Sequence, residues 1–265
     1  MISYLEKMVK DTLDAVGNVS ILFLQTIYWT FHNLRTGRFA FGNLIEQMSR
    51  IGVDSLLMVA ITGVSTGAVL VVQIGYQFAQ MGAQSYVGGV VALSMARELA
   101  PILTSIVVAG RVGSAIAAEL GTMKITEQID ALETMATNPV EYLVVPRFWG
   151  CTIMLFMLTI FTNVVGMIGG SIVAVNQIGL TLISFKDSIL HMLQIQDLMG
   201  GLIKATVFGS IIGVIGCYKG FTTEGGAEGV GQSTTSAVVV SIMLILAVNY
   251  FLTVGINNFC VAYLQ

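Results

Sequence analysis

The chain has 265 residues, of which 55% are hydrophobic and only 10% are charged. Because about a quarter of the residues in soluble domains are charged, this composition excludes an ordinary soluble protein and predicts a single integral membrane domain. The net charge of -3, without a basic cluster, gives no indication of nucleic-acid binding. Cys151, Cys217 and Cys260 lie far apart in apolar sequence and are expected to be buried, inert thiols rather than metal ligands.

The first region, residues 1–50, contains one apolar run at residues 19–31. That run is shorter than the roughly 20 residues that a helix needs to cross the hydrocarbon core. Tyr28, Trp29 and His32 crowd its end, where amphipathic rings favour the headgroup layer. We therefore expect an N-terminal helix that lies in the membrane interface, with a helix of the protein core as the alternative.

The second region, residues 51–265, is predicted to form a bundle of five transmembrane helices. Long apolar runs without strict alternation favour helices over strands. We expect one span to begin near residue 86, after a turn at 82–85, and the other spans to lie at about 52–78, 148–174, 199–218 and 234–260.

Small residues four apart recur in these predicted spans. Gly63 and Gly67 form one such pair, and Gly166 and Gly170 form another. Because small residues let two helix backbones approach closely in lipid, the pattern predicts a tightly packed bundle. The expected fold is therefore an all-α polytopic membrane protein.

The distribution of lysine and arginine predicts the orientation of this bundle. The turn between the first two spans has no basic residue, whereas the segment before the first span has Lys7, Lys10, Arg35, Arg38 and Arg50. Since positively charged segments stay in the cytoplasm, the amino terminus and residues 119–147 are expected there. Five spans then place the carboxyl terminus on the periplasmic side.

Two adjacent charges, Arg97 and Glu98, lie inside the second predicted span. A charge at the centre of a membrane helix costs on the order of 2.5–3.5 kcal/mol, so such residues normally face a cavity or a partner. Pro101 has no N–H and leaves the carbonyl of Arg97 without its helical partner. The cluster indicates a polar cavity suited to a zwitterionic or anionic headgroup; the alternative is a structural Arg–Glu bridge without a ligand.

A third charge in this span, Arg111, lies close to the predicted cytoplasmic end. Its long side chain can reach the membrane surface or pair with Glu119. We expect a structural role for it.

Residues 124–137 are predicted to form a short cytoplasmic helix. Thr126 is the expected cap, and Ile129, Leu132 and Met135 form an apolar face opposite a polar, mainly acidic one. An apolar stripe on a helix in water indicates docking on a partner. The alternative is a helix lying on the membrane, against which its acidity argues because anionic headgroups repel it.

Residues 92–150 read ALSMARELAPILTSIVVAGRVGSAIAAELGTMKITEQIDALETMATNPVEYLVVPRFWG. This segment strongly resembles the signature region of MlaE-type permeases, the membrane subunits of MCE-linked ABC lipid transporters. The similarity extends from about residue 45 to residue 260. A motif of this length is far more specific than the short patterns above.

The resemblance implies a homodimeric permease of the bacterial inner membrane that moves phospholipids and maintains outer-membrane lipid asymmetry. Its expected partners are an ABC ATPase that binds the ATP, a periplasmic MCE-domain protein and, as a further candidate, a small STAS-domain subunit. The chain itself would be non-catalytic, without a cofactor of its own. The residues that would border the lipid are Leu70, Phe78, Met81, Arg97 and Glu98. The residues that would contact the ATPase are Thr126, Glu127, Gln128, Asp130, Leu132 and Glu133.

Two other classes of protein remain as alternatives. A stand-alone secondary transporter or channel could use the intramembrane Arg–Glu site, but such proteins usually contain repeated halves, which five spans do not provide. A lipid-modifying enzyme could use Glu98 as acid or base, but it would need a second catalytic group, and Arg97 stays protonated.

Overall fold

The structure is a computed structural model that describes residues 2–36 and 41–263, and these residues contain helices but no strand. In chain order the helices are α1 Ile2–Thr36, α2 Phe41–Gly52, α3 Leu56–Gln80, α4 Val87–Ser94, α5 Ala100–Val108, α6 Ser114–Ile125, α7 Gln128–Thr134, α8 Val145–Val173, α9 Leu182–Met192, α10 Ile195–Phe221 and α11 Gly226–Tyr263. Two π-helical turns, Met95–Leu99 and Ala109–Gly113, join α4, α5 and α6 into one long helix.

Five helical segments are long and apolar enough to cross a membrane. Spans one to five are Phe41–Gln80, Gln84–Ile125, Val140–Ile178, Ile195–Phe221 and Gly226–Asn258. The prediction of an all-α polytopic membrane protein is confirmed. Each segment is longer than its predicted span because the helices continue into more polar sequence beyond the apolar run.

The buried side chains form two clusters. The larger cluster draws residues from all five spans, α1 and α7, and includes Leu120, Phe148 and Phe208. The smaller one joins spans one and two to α9 and includes Val71, Met95 and Phe185. The most apolar stretch of span four is therefore more than half buried, whereas that of span five is only 17% buried.

Spans one and three approach each other through the predicted small-residue faces. A Cβ atom on Gly67 would overlap the carbonyl group of Gly166, and one on Gly63 would lie 3.1 Å from the carbonyl oxygen of Thr162. These contacts between backbones, rather than side chains, bring α3 and α8 together. The tight packing predicted from the glycine spacing is thus found at this interface.

Replacing Gly67 by alanine is expected to cost about 1–3 kcal/mol of folding free energy, because the new methyl group forces α3 and α8 apart. Gly110→Ala is the control, since a Cβ there meets nothing within 4 Å. Thermal unfolding in detergent measures both variants. Equal midpoints for the two would contradict the close backbone contact.

The N-terminal helix differs from its prediction. The short helix expected at residues 19–31 is part of α1, which continues for 35 residues. Leu22 is 7% exposed, and the indole N–H of Trp149 in span three donates to the hydroxyl of Thr30 at 3.0 Å. The helix extends in both directions because its polar flanks contain no proline, and it packs against the bundle through a narrow face.

A helix that the sequence analysis did not predict, α9, lies between spans three and four. The hydroxyl of Thr181 accepts a hydrogen bond from the backbone N–H of Ser184 and caps its first turn. Further along, the hydroxyl of Ser188 accepts from the backbone N–H of Gly89 in α4 at 2.9 Å. This contact fixes α9 over the end of the bundle opposite α7.

Candidate functional site

Four charged side chains meet between spans two and four. Arg97, in the π-helical turn Met95–Leu99, contacts the Asp197 carboxylate through Nη2 at 2.6 Å and Nε at 2.7 Å. The Lys204 ammonium contacts Glu98 Oε1 at 2.5 Å. Asp197 and Lys204 lie seven residues apart on α10, a spacing that places both on the face directed at span two.

Arg97 and Glu98 do not form the Arg–Glu bridge that the sequence left open as an alternative to a headgroup cavity. Each residue pairs with an opposite charge on α10 instead of with its neighbour. Consecutive helical residues point in different directions, so two adjacent side chains rarely pair with each other. The result is two parallel ion pairs that tie span two to span four.

The carbonyl of Arg97 has no helical donor, because Pro101 has no N–H, and it accepts a hydrogen bond from another span instead. Lys204 Nζ donates to this oxygen at 3.1 Å and to the hydroxyl of Thr253 at 2.8 Å. With Glu98 as the third acceptor, all three ammonium donors are used. The expected break in the backbone hydrogen bonding is thus satisfied by a side chain of another span.

Span five completes the site through two polar side chains. The Asn249 amide donates to Glu98 Oε2 at 3.2 Å, and the Thr253 hydroxyl donates to Oε1 at 3.0 Å. Beside these groups lies a cavity of about 200 Å³. It is lined by Arg97, Glu98, Gln196, Asp197, Gly200, Gly201, Lys204, Thr253, Ile256 and Asn257.

The four charges differ in how far they face this cavity. The side chains of Lys204 and Asp197 are 3% and 6% exposed, whereas those of Glu98 and Arg97 are 34% and 50% exposed. Asp197 also accepts from the backbone N–H of Gln194. The two buried residues, Asp197 and Lys204, therefore hold the site together. The Arg97 guanidinium and the Glu98 carboxylate remain available at the cavity.

The sequence analysis missed Asp197 and Lys204. Lys204 lies inside the predicted fourth span, where an isolated ionisable residue in an apolar run indicates a paired or functional group. That signal was present in the sequence. The identity of its partner could not be predicted, because nothing in the sequence shows which spans are neighbours.

The apolar residues expected at the lipid lie apart from this cavity in the single chain. Leu70 and Phe78 are partly buried on α3 and pack against the smaller core cluster. Met81, just after α3, is 78% exposed. The structure therefore brings together Arg97 and Glu98, but not the three apolar residues with them.

Arg111 does not contact Glu119, which was one of the two structural roles considered for it. Arg111 reaches span one, where Nη2 contacts Asp54 at 3.0 Å and Nη1 donates to the Ser55 hydroxyl at 2.8 Å. Glu119 instead pairs with Arg147 of span three at 3.0 Å. Arg111 has the structural role expected for it, but with a partner on another helix.

The predicted cytoplasmic helix exists as α7, between spans two and three, but Thr126 does not cap it. The cap position is Glu127, whose φ of 58° is left-handed and whose side chain makes no capping bond. Thr126 ends the preceding helix, since its hydroxyl donates to the carbonyl of Thr122 at 2.8 Å. A left-handed turn at Glu127 thus separates α7 from α6.

One face of α7 is buried and the other is exposed. Ile129 is 5% exposed and Leu132 is half-buried, and both pack against the larger core cluster of the same chain. Met135, expected on the apolar face, is 74% exposed because it lies beyond the end of the helix. The exposed polar residues are Thr126, Glu127, Gln128, Asp130 and Glu133.

Comparison with known proteins places this arrangement in a family. Residues 44–255 match the family described as Permease MlaE. A probable ABC transporter permease protein of Synechocystis sp. is 45% identical over 223 residues, which are 84% of this chain and 85% of the relative. A probable ABC transporter permease protein of Rickettsia typhi is 44% identical over 210 residues, or 79% and 81% of the two chains.

A plant relative extends the comparison. The chloroplastic protein TRIGALACTOSYLDIACYLGLYCEROL 1 of Arabidopsis thaliana is 41% identical over 217 residues, which are 82% of this chain and 62% of the relative. The family match covers α7, the four charged residues at the cavity and all five spans except the first residues of span one and the last residues of span five. The chain therefore belongs to the MlaE permease family and is the permease subunit of an ABC transporter.

Proposed function

We propose that this permease moves phospholipids between the bacterial inner membrane and a periplasmic MCE-domain protein, and thereby maintains outer-membrane lipid asymmetry. The observation that carries this proposal is the cavity at which Arg97 and Glu98 are exposed within an otherwise apolar bundle. A lipid offers an apolar body to the bundle and a polar head to such a cavity.

The two exposed charges at the cavity, Arg97 and Glu98, fit a phospholipid headgroup. Arg97 uses Nε and one terminal nitrogen on Asp197, so further N–H groups of its guanidinium can bind a phosphate oxygen. Glu98 stands beside it and attracts an ammonium group. A zwitterionic headgroup satisfies both, and an anionic one satisfies Arg97.

The plant relative supports a lipid cargo. Its name refers to trigalactosyldiacylglycerol, a lipid built on diacylglycerol. A diacylglycerol body is what that lipid and a phospholipid have in common. The sequence identity of 41% therefore favours a glycerolipid over a soluble solute.

The acyl chains are proposed to lie between two copies of the chain. Span five is the least covered of the spans, and Val69, Tyr76 and Met81, on and after α3, are large hydrophobic side chains that are exposed in the single chain. Pairing of two copies would bury such surface. Leu70, Phe78 and Met81 would then border the lipid, whose head would contact Arg97 and Glu98.

The opposite end of the bundle is proposed to contact the ATPase. ABC permeases work with an ATPase, and α7 offers it an exposed, mainly acidic face on a helix anchored by Ile129. The contacting residues would be Thr126, Glu127, Gln128, Asp130, Leu132 and Glu133. This contact puts the N-terminus in the cytoplasm and the C-terminus in the periplasm, with the MCE protein over α9 and a STAS-domain subunit as a further candidate on the ATPase.

Neutralising Arg97, the exposed cation at the cavity, tests whether the cargo is a phospholipid. In the double variant Arg97→Gln/Asp197→Asn, no buried carboxylate is left unpaired, so the fold is preserved while the phosphate ligand is lost. Because a hydrogen bond to a charged group contributes about 1.5–3 kcal/mol, ATP-driven phospholipid transfer between proteoliposomes is expected to fall at least about tenfold.

The matched control neutralises an ion pair that is exposed to solvent. Glu46→Gln/Arg50→Gln removes the bridge in α2, where both side chains are 59% exposed. This control is expected to transfer phospholipid at the wild-type rate. Equal rates for the two double variants would contradict the proposed headgroup site.

A further inference from the structure

The helices on either side of α7 are joined by an ion pair that neither the cavity nor the α7 surface uses. Glu119 lies on α6, at the end of span two, and Arg147 lies on the first turn of α8 in span three. Arg147 Nη2 contacts Glu119 Oε1 at 3.0 Å, and Nη1 donates to the carbonyl of Leu143 at 2.9 Å. The pair thus closes the base of the hairpin formed by α6, α7 and α8.

The surroundings of Arg147 are unusual for a residue that only stabilises the fold. Its side chain is 5% exposed, and within the part of the chain that the structure describes, Nε is buried without a hydrogen-bond partner. The Glu119 side chain is 45% exposed, and an ion pair that is open to solvent on one side contributes little to stability. The guanidinium contacts are directional, and they therefore constrain the position of α8 relative to α6.

The two connections of α7 make such a constraint necessary. Glu127 before the helix and Ala136 after it are non-glycine residues with φ of 58° and 57°. A left-handed turn therefore interrupts the helix on each side, and α7 is not a rigid extension of α6 or α8. Its apolar residues Ile129 and Leu132 pack against the core, but apolar contacts slide more easily than an ion pair.

We propose that the Glu119–Arg147 pair transmits displacement of α7 to span two and so to the charged cavity. This inference rests on the proposed contact between α7 and the ATPase. With the pair intact, α6 and α8 move as one body when α7 is displaced. Glu119 follows Arg97 by 22 residues along the same span, or about 33 Å at the helical rise. Without the pair, the displacement separates α6 from α8 and does not reach the cavity.

The test measures phospholipid transferred per ATP hydrolysed, using the assembled permease–ATPase complex in proteoliposomes. This ratio does not change when a variant merely lowers the amount of folded complex. Glu119→Gln keeps the shape of the side chain but removes the charge opposite Arg147, and the ratio is expected to fall at least threefold. Arg147→Lys keeps a cation opposite Glu119, and its ratio is expected to lie closer to the wild-type value.

Asp54→Asn is the matched control. It neutralises the partner of Arg111 at the same end of the bundle, but in a bridge from span two to span one, away from α7. Its ratio is expected to equal that of the wild type. A wild-type ratio for Glu119→Gln, or an equal fall for Asp54→Asn, would overturn the inference.

A failure of this inference differs from a failure of the ATPase contact. If α7 binds the ATPase but the pair transmits nothing, charge reversal on α7 abolishes assembly while Glu119→Gln retains the wild-type ratio. If instead α7 does not contact the ATPase, charge reversal on α7 leaves the permease–ATPase complex assembled.

Discussion

Replacing Lys204 by methionine is expected to lower the folding free energy by about 3 kcal/mol, the lower end of the range for breaking a buried ion pair. The ammonium is 3% exposed and binds Glu98, the Arg97 carbonyl and Thr253. Methionine fills a similar volume but donates no hydrogen bond. It leaves the Glu98 carboxylate without its cation and a backbone carbonyl without its donor, while the one-third exposure of Glu98 limits the cost.

Thermal unfolding in detergent, with the ATPase absent, measures this effect as a fall in midpoint of roughly 10 °C. Adding Glu98→Gln to Lys204→Met removes the unpaired charge and is expected to restore most of the lost midpoint. Lys186→Met, at an exposed position of α9, is the control for loss of a lysine. An unchanged midpoint for Lys204→Met, or no recovery in the double variant, would contradict the role given to this ion pair.

Reversing two charges on α7, by Glu127→Lys/Asp130→Lys, is expected to abolish association with the ATPase. Both side chains are exposed, and the Lys124–Asp130 bridge that the change removes is a surface pair worth at most about 1 kcal/mol. The fold is therefore retained. Like charges placed opposite one another in an interface cost several kcal/mol, or more than a hundredfold in affinity at about 1.4 kcal/mol per tenfold.

Co-purification of the ATPase with the permease measures this result. Glu224→Lys/Glu228→Lys is the matched control, because it reverses two exposed charges at the same end of the bundle, one between spans four and five and one in the first turn of α11. The control is expected to retain the ATPase. Retention by the α7 variant would rule out α7 as the contact, and loss by both would indicate a general effect of charge.

The spans were predictable because the bilayer sets both their length and their composition. Uninterrupted apolar sequence is enough to place them, and a proline after Arg97 is enough to predict a carbonyl in need of a donor. The donor itself, Lys204, was not predictable. Finding it requires knowing that span four lies against span two, which is decided by glycines such as Gly201, where a Cβ would overlap the carbonyl of Ala96.

The partners of the other charged residues could not be predicted for the same reason, since the sequence does not show which spans are neighbours. Arg111 and Glu119 are close in sequence, and so are Arg97 and Glu98, which makes local pairs the simplest expectation. The structure pairs Arg111 with span one, Glu119 with span three, and Arg97 and Glu98 with span four. These four residues each face a neighbouring span, and sequence distance says little about which one.

Family membership decides among the classes of protein that composition left open. A secondary transporter or channel and a lipid-modifying enzyme would each need a complete site within the chain. An ABC permease needs only a cavity for its solute and a surface for its ATPase. The charged cavity and α7 lie at opposite ends of the bundle, joined by the continuous helix of span two.

The central claim is that Arg97 holds a phospholipid headgroup within an assembled ABC complex. Native mass spectrometry of the purified complex tests it directly, because subunit numbers and retained lipid are read from one spectrum. We predict two copies of this chain, two copies of the ATPase and at least one retained phospholipid, which is absent from the Arg97→Gln/Asp197→Asn complex. A wild-type complex without phospholipid, or equal lipid in both complexes, would contradict the account.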